Sequence, residues 1–166
     1  MQELFVDNLL TGLRANAGYA AKLAAGTDAT DAVTQSVPDE NHPAWILRHL
    51  GAYHPVIAGL LEGATPDDPK THRFGMESKP EPDAALYGPW DTVVADYRAG
   101  TDRVAAALEA VRDGDGSALV RPMPVPRWQA KFPRVGDILG YLIIHHEAYH
   151  LGQFSAWRRV RGLAPA

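Results

Sequence analysis

Apolar residues recur at three- and four-residue spacing in four stretches of the chain, and polar or proline-rich segments of very unequal length separate them. The first stretch, residues 2–25, aligns Phe5, Leu9, Leu13, Ala17, Ala20 and Leu23, and Gly26-Thr27-Asp28 ends it. The second opens where His42-Pro43 places a proline in the first helical turn and runs to about residue 63, with Ile46, His49, Leu50, Tyr53, Ile57 and Leu60 on one face. Pro55 inside it predicts a kink. The third, residues 90–112, carries the cleanest stripe, from Trp90, Val93, Val94 and Tyr97 to Val104, Ala105, Leu108 and Val111, and Asp113-Gly114-Asp115-Gly116 stops it. The last, residues 134–161, starts with Val135, Ile138, Leu139, Leu142 and Ile143, and Gly162-Leu163 reads as a glycine cap with its hydrophobic contact. No alternating run competes with these helices. The chain is therefore expected to be all-α, one domain over residues 1–166, built as a four-helix bundle with two long connections. Neither the handedness nor the order of neighbours follows from the pattern.

Both long connections are rich in proline. Residues 64–89 contain Pro66, Pro69, Pro80, Pro82 and Pro89 among many charges, and residues 122–133 include Trp128 and Phe132. Loops as long as the first usually serve a site in a compact domain.

The chemistry begins where the last stripe turns polar. Continued at the same spacing it reaches His146, then Tyr149 and His150, then Gln153 and Trp157. His146 and His150, at i and i+4, point the same way about 6 Å apart along the axis, close enough for two imidazoles to converge on one ion. His145 lies about 100° around the helix. On the second helix His49 is placed to supply a third imidazole, whereas His54, five residues on, points elsewhere. His49 alone reads equally as a core histidine bonded to a neighbour. Three inward histidines together would lack acceptors, and a metal satisfies all of them at once. Tyr53, Tyr97 and Tyr141 read as packing residues, with a hydroxyl reaching the site as the alternative.

His146-Glu147-Ala148-Tyr149-His150 also matches the H-E-x-x-H signature of zinc proteases. The extended form fails, because Gln153 stands at the glycine position and Ala156 at the third histidine. No acidic residue follows Glu147, and that side chain is about 100° off the His146 line, so it reads as a residue at the surface or behind the ligands. No peptidase activity is expected.

Composition narrows the classes further. The 166 residues are 46% hydrophobic and 22% charged, the make-up of an ordinary globular domain. A net charge of −4 and the lack of any long Lys/Arg run argue against a nucleic-acid footprint. The short cluster Arg158, Arg159 and Arg161 reads as helix-dipole partners on a solvated face, with an anionic ligand as the alternative. The absence of cysteine excludes a disulfide scaffold, a thiolate metal site and a cysteine nucleophile, so any thiol must come from outside. No apolar run approaches twenty residues and the N-terminus lacks a signal-peptide pattern, so no membrane partner and a cytoplasmic location are expected.

Two segments carry a family resemblance. Trp45-Ile46-Leu47-Arg48-His49-Leu50 resembles the helix-two motif of the DinB-like (DNA-damage-inducible) four-helix metalloproteins, with a tryptophan four residues before a ligand histidine. His146-Glu147-Ala148-Tyr149-His150-Leu151-Gly152-Gln153 resembles their helix-four motif, and the likeness in spacing covers most of the chain. The resemblance implies a three-histidine site, His49, His146 and His150, for zinc or nickel, and often a homodimer. It also implies kinship with enzymes that use low-molecular-weight thiols such as bacillithiol or mycothiol. The family name does not imply DNA binding.

Three neutral imidazoles leave a zinc-like ion an open position, the mark of a reactive site. The expected activity is therefore thiol S-transfer to a small-molecule substrate. Metal-assisted hydrolysis and a non-catalytic metal- or ligand-binding protein of a stress response are the alternatives.

Overall fold

The computed structural model describes residues 2–164 and 166. Its long helices are α1 (Gln2–Ala24), α2 (Pro43–Leu61) and α3 (Trp90–Asp113). Two short helices follow, α4 (Ser117–Val120) and α5 (Pro126–Gln129). A fourth rod then runs from α6 (Val135–Gly140) through a π-helical turn (Tyr141–His146) into α7 (Glu147–Val160). No strand occurs among the described residues. An isolated antiparallel bridge joins Pro122 to Arg134 and pins the ends of the second connection together.

Contacts settle the order of neighbours. α3 packs on α1 and α2, and the fourth rod packs on the same two helices, so α1 and α2 occupy one diagonal of the bundle. α2 and α3 run parallel, because Arg48 pairs with Asp96 near their beginnings and Glu62 with Arg103 towards their ends. α1 runs parallel to the fourth rod: Asn16 bonds Ile143 O, and Leu23 O accepts from Arg158. A parallel pair forces the chain to travel back along the whole bundle between the two helices, about 28 Å for a 19-residue helix. That geometry explains the long segment 62–89. On its return it crosses the face of α2 that holds His49.

Two apolar clusters fill the interior. One gathers Leu9, Leu13, Ile57, Leu60, Leu108 and Ile143, the other Leu23, Leu47, Val93, Leu151, Phe154 and Trp157. Where one gives way to the other, the helices bring in polar side chains: Asn16 from α1, His54 from α2, Thr101 from α3 and Glu147 from α7. His54, Thr101 and Glu147 are all buried.

α2 runs through Pro55 without a break, and the missing N–H falls opposite Gly51 on the least buried face, where a carbonyl can turn to solvent. Other expectations change. Arg158 is buried rather than solvated, and its guanidinium donates to Leu23 O (2.7 Å), Ala25 O (3.0 Å) and Ala164 O (3.0 Å), satisfying the end of α1. The uninterrupted last helix also changes. Up to Ile143 the stripe is buried as expected; beyond the π-turn His150 and Trp157 of the expected line stay buried, but the line is joined by Glu147, Leu151, Phe154 and Arg158, so the centre of the buried face moves. Each of those four lies one residue ahead of the expected line, in the direction of the rotation of about 100° that one inserted residue produces. Tyr149, expected inside, is 65% exposed. The Gly162 cap forms as expected, with φ of 70° and Leu163 N–H donating to Arg158 O.

Candidate metal centre

The centre lies between α2 and the fourth rod. His49 is 3% exposed, and its Nδ1 meets Phe74 O at 2.7 Å on the returning segment. Donating there leaves Nε2 with its lone pair facing the fourth rod. The Trp45 ring, one helical turn earlier, lies nearly flat on the imidazole with centroids 4.5 Å apart, and its Nε1 donates to Ser78 Oγ at 3.0 Å. His42, the N-cap of α2, accepts from Trp45 N and bonds Glu81 O at 3.0 Å, so the same loop fastens the start of the helix. On the other side His150 Nδ1 bonds Gln153 Oε1 at 2.8 Å, and that oxygen also accepts from Asn41 Nδ2 at 3.1 Å.

His146 closes the group. Its Nε2 is 3.1 Å from His49 Nε2, and one ring nitrogen from each of His49, His146 and His150 lies within 4.8 Å of the others. Two imidazole nitrogens on one tetrahedral ion, each about 2.0–2.1 Å from it, sit about 3.3 Å apart. The His49–His146 spacing fits that edge. A proton shared between these two rings would account for their contact alone. It gives the third ring no role.

Burial holds the His49 imidazole down to about 4, with the His150 charge as the next cause and the Phe74 carbonyl opposing. Burial, then His150 and His49, hold His146 down to about 3. His150 is lowered by burial against the Gln153 hydrogen bond. At neutral pH all three rings are neutral and present lone pairs, as metal ligands must.

His146 is only half-buried, so the group is reachable from one side. Tyr53 and Tyr141 flank it with ring centroids at 4.7 and 6.1 Å, and Tyr149 stands edge-on to His150 at 5.1 Å. Burial raises the Tyr53 phenol against the pull of Arg127, which itself grips Asp68 through two 2.7 Å hydrogen bonds. A separate cavity of about 640 Å³ opens between α2, α3 and the returning loop. It shares Phe74 with the centre, and none of the three histidines lines it.

The remaining histidine positions separate cleanly. His145 is exposed and takes no part. His54 turns the other way and meets Glu147 Oε1 at 2.9 Å, with both side chains at most 2% exposed. Glu147 Oε2 accepts from the Tyr97 hydroxyl at 3.3 Å, and Tyr97 is raised well above the usual phenol range, by burial first and the Glu147 charge second. Glu147 is thus neither a surface residue nor part of the three-histidine group.

Residues 13–154 match the family model of the DinB superfamily. The chain belongs to the DinB superfamily. No curated protein and no solved structure matches it. The matched span of this DinB-superfamily chain contains all three histidines together with Trp45, Phe74, Glu147 and Gln153. Gln153 and Trp45 stand in the two motifs, but their support of the histidines is not among the expectations. Phe74 stands in the loop that the likeness in spacing covers yet acts through its carbonyl, and nothing in the sequence marks Asn41.

Proposed function

We propose that this protein binds one divalent ion, zinc or nickel, through His49, His146 and His150, and is a metal-dependent transferase using a low-molecular-weight thiol of the bacillithiol or mycothiol kind. The observation that carries the reading is the convergence of three neutral imidazoles, two buried and one half-buried, with no acceptor between them. When bound, the ion supplies a positive charge that favours the thiolate form of an incoming thiol. The chain's own residues do the rest. Phe74 O and Gln153 Oε1 fix the outer nitrogens of His49 and His150, and Trp45 shields one face from water. Tyr53 and Tyr141 border the open side, where a small-molecule substrate would lie.

The candidate base of the H-E-x-x-H match is engaged by His54 and Tyr97, and the nearby Asp68 is held by Arg127. With both carboxylates paired, a reactant that brings its own nucleophile suits the site better than water activation does. We further infer a single domain from length and helical pattern, a cytoplasmic location, a role in stress response and, from the family resemblance, a homodimer.

Untagged protein should carry about one divalent ion per chain, and His49→Ala should lose it. Metal-loaded protein should accelerate conjugation of bacillithiol, mycothiol, glutathione or coenzyme A with simple electrophiles, and chelated protein should not. Metal-dependent ester hydrolysis without any conjugation would replace transferase by hydrolase, and neither activity would leave a binding protein. Light scattering at micromolar concentration should return twice the chain mass.

A further inference from the structure

Asparagine is a poor choice for a helix interior, because its amide competes with the main chain for hydrogen bonds. Asn16 nevertheless sits well inside α1, half-buried, at the level where the two apolar clusters meet. Its Nδ2 donates across the bundle to Ile143 O at 3.1 Å and to Ile144 O at 3.4 Å. Both oxygens belong to the π-turn, and at the exit of that turn Glu147 N–H reaches back only three residues, to Ile144 O. Where the pitch changes, main-chain donors and acceptors stop matching one for one, and an oxygen loses its helical partner. Gly12, one turn before Asn16, completes the seat, since a Cβ there would come within 2.9 Å of Ile144 Cγ1.

We propose that Asn16 is a positioning residue of the metal centre: it satisfies the main-chain oxygens of the π-turn and so holds the inserted residue that aims His146 and His150. The proposal rests on the three-histidine reading above. In an unbroken α-helix, turned back by about 100°, His145 would take the place of His146, Tyr149 that of His150, and His146 that of Glu147. His49 would then face one imidazole and one phenol. The π-turn moves the ligand pair from the middle of the core to its reachable flank and delivers Glu147 to His54 in the same rotation. Asn16 touches none of the three histidines and acts through the backbone alone.

The test uses the full chain and Zn²⁺ titrated against a chromophoric chelator. Asn16→Leu should weaken Zn²⁺ binding about tenfold or more, the usual scale for a lost outer support. Asn16→Ala, which removes the amide without adding bulk, should act in the same direction. Deleting Ile144 removes the inserted residue and the need for a side-chain donor, so in that background Asn16→Leu should change affinity less than about threefold. In metal-free protein, Asn16→Leu should speed amide hydrogen exchange at residues 143–147 about tenfold while α3 is unchanged. Unaltered affinity and exchange in both Asn16 variants, or equal losses with and without the Ile144 deletion, would overturn the proposal. If the wild-type chain binds no Zn²⁺, the three-histidine reading fails on its own, and the exchange result alone decides whether Asn16 holds the turn.

Discussion

α2 and the fourth rod meet in two histidine clusters whose chemistry is opposite. In one, His49, His146 and His150 turn nitrogen towards nitrogen, with burial and mutual repulsion keeping His49 and His146 neutral. In the other, His54 meets a carboxylate, Glu147, which also takes the Tyr97 hydroxyl. The first is half-open and the second has at most 2% of either partner exposed. Five residues separate the α2 members and one separates His146 from Glu147, so helical phase alone assigns each side chain to its cluster. A histidine becomes a ligand candidate when its neighbours deny it an acceptor, and a structural residue when they supply one.

The largest effect separating the clusters should come from the ligands themselves. His49→Ala, His146→Ala and His150→Ala should each weaken Zn²⁺ binding at least 100-fold in a chelator competition, while His145→Ala and His54→Phe leave it within about threefold. Retention of full affinity by His146→Ala with loss in His145→Ala would reverse the assignment of the doubled pair.

Glu147→Leu should do the reverse, destabilising the fold by about 3 kcal/mol in urea unfolding because His54 and Tyr97 are left buried without their shared acceptor. Glu147→Gln keeps part of that bonding and should cost less. Neither protein should cleave unstructured casein, and metal-dependent cleavage lost in Glu147→Gln would revive the peptidase reading.

A smaller effect is expected at Gly100, whose Cβ position overlaps the His54 ring. Gly100→Ala should cost about 1–3 kcal/mol by thermal unfolding while Zn²⁺ affinity stays within threefold. The mildest test is pH. His49 titrates at about 4 and His146 at about 3 in the fold, below the usual imidazole value near 6.5, so below that value the unfolded chain binds more protons. Metal-free stability should be full above pH 6.5, fall as pH drops from 6.5 towards 4, and flatten below 3 for these two groups. Chemical unfolding followed across that window, with His49→Phe losing its part of the slope, checks the sign.

Periodicity was enough to read the helical class, the ends of α1, α2 and α3 within a residue or two, and the three histidines that come together. What escaped it depends on contacts distant in sequence. The π-turn leaves no mark in the spacing of Val135, Ile138, Leu139, Leu142 and Ile143, and its one-residue rotation is visible only once Leu151, Phe154 and Arg158 are seen inside and Tyr149 outside. His146 and His150 nonetheless come together with His49, since two residues four apart keep their common face when the whole segment turns. The burial of Glu147 was not legible, because it depends on that rotation. Arg158 looked like a solvated charge for a similar reason: its acceptors, Leu23 O and Ala25 O, lie more than 130 residues away.

The parallel pairing of α2 with α3 also bears on how the molecule is made. His49 and His146 are 97 positions apart, and translation at about 5–20 residues per second separates their appearance by roughly 5–20 s. During that interval α2, buried along almost its whole length in the finished bundle, has no fourth rod to lie against. His49 and His146 therefore meet only after synthesis of the last helix, and the nascent chain must carry its most apolar segment to that moment without that contact.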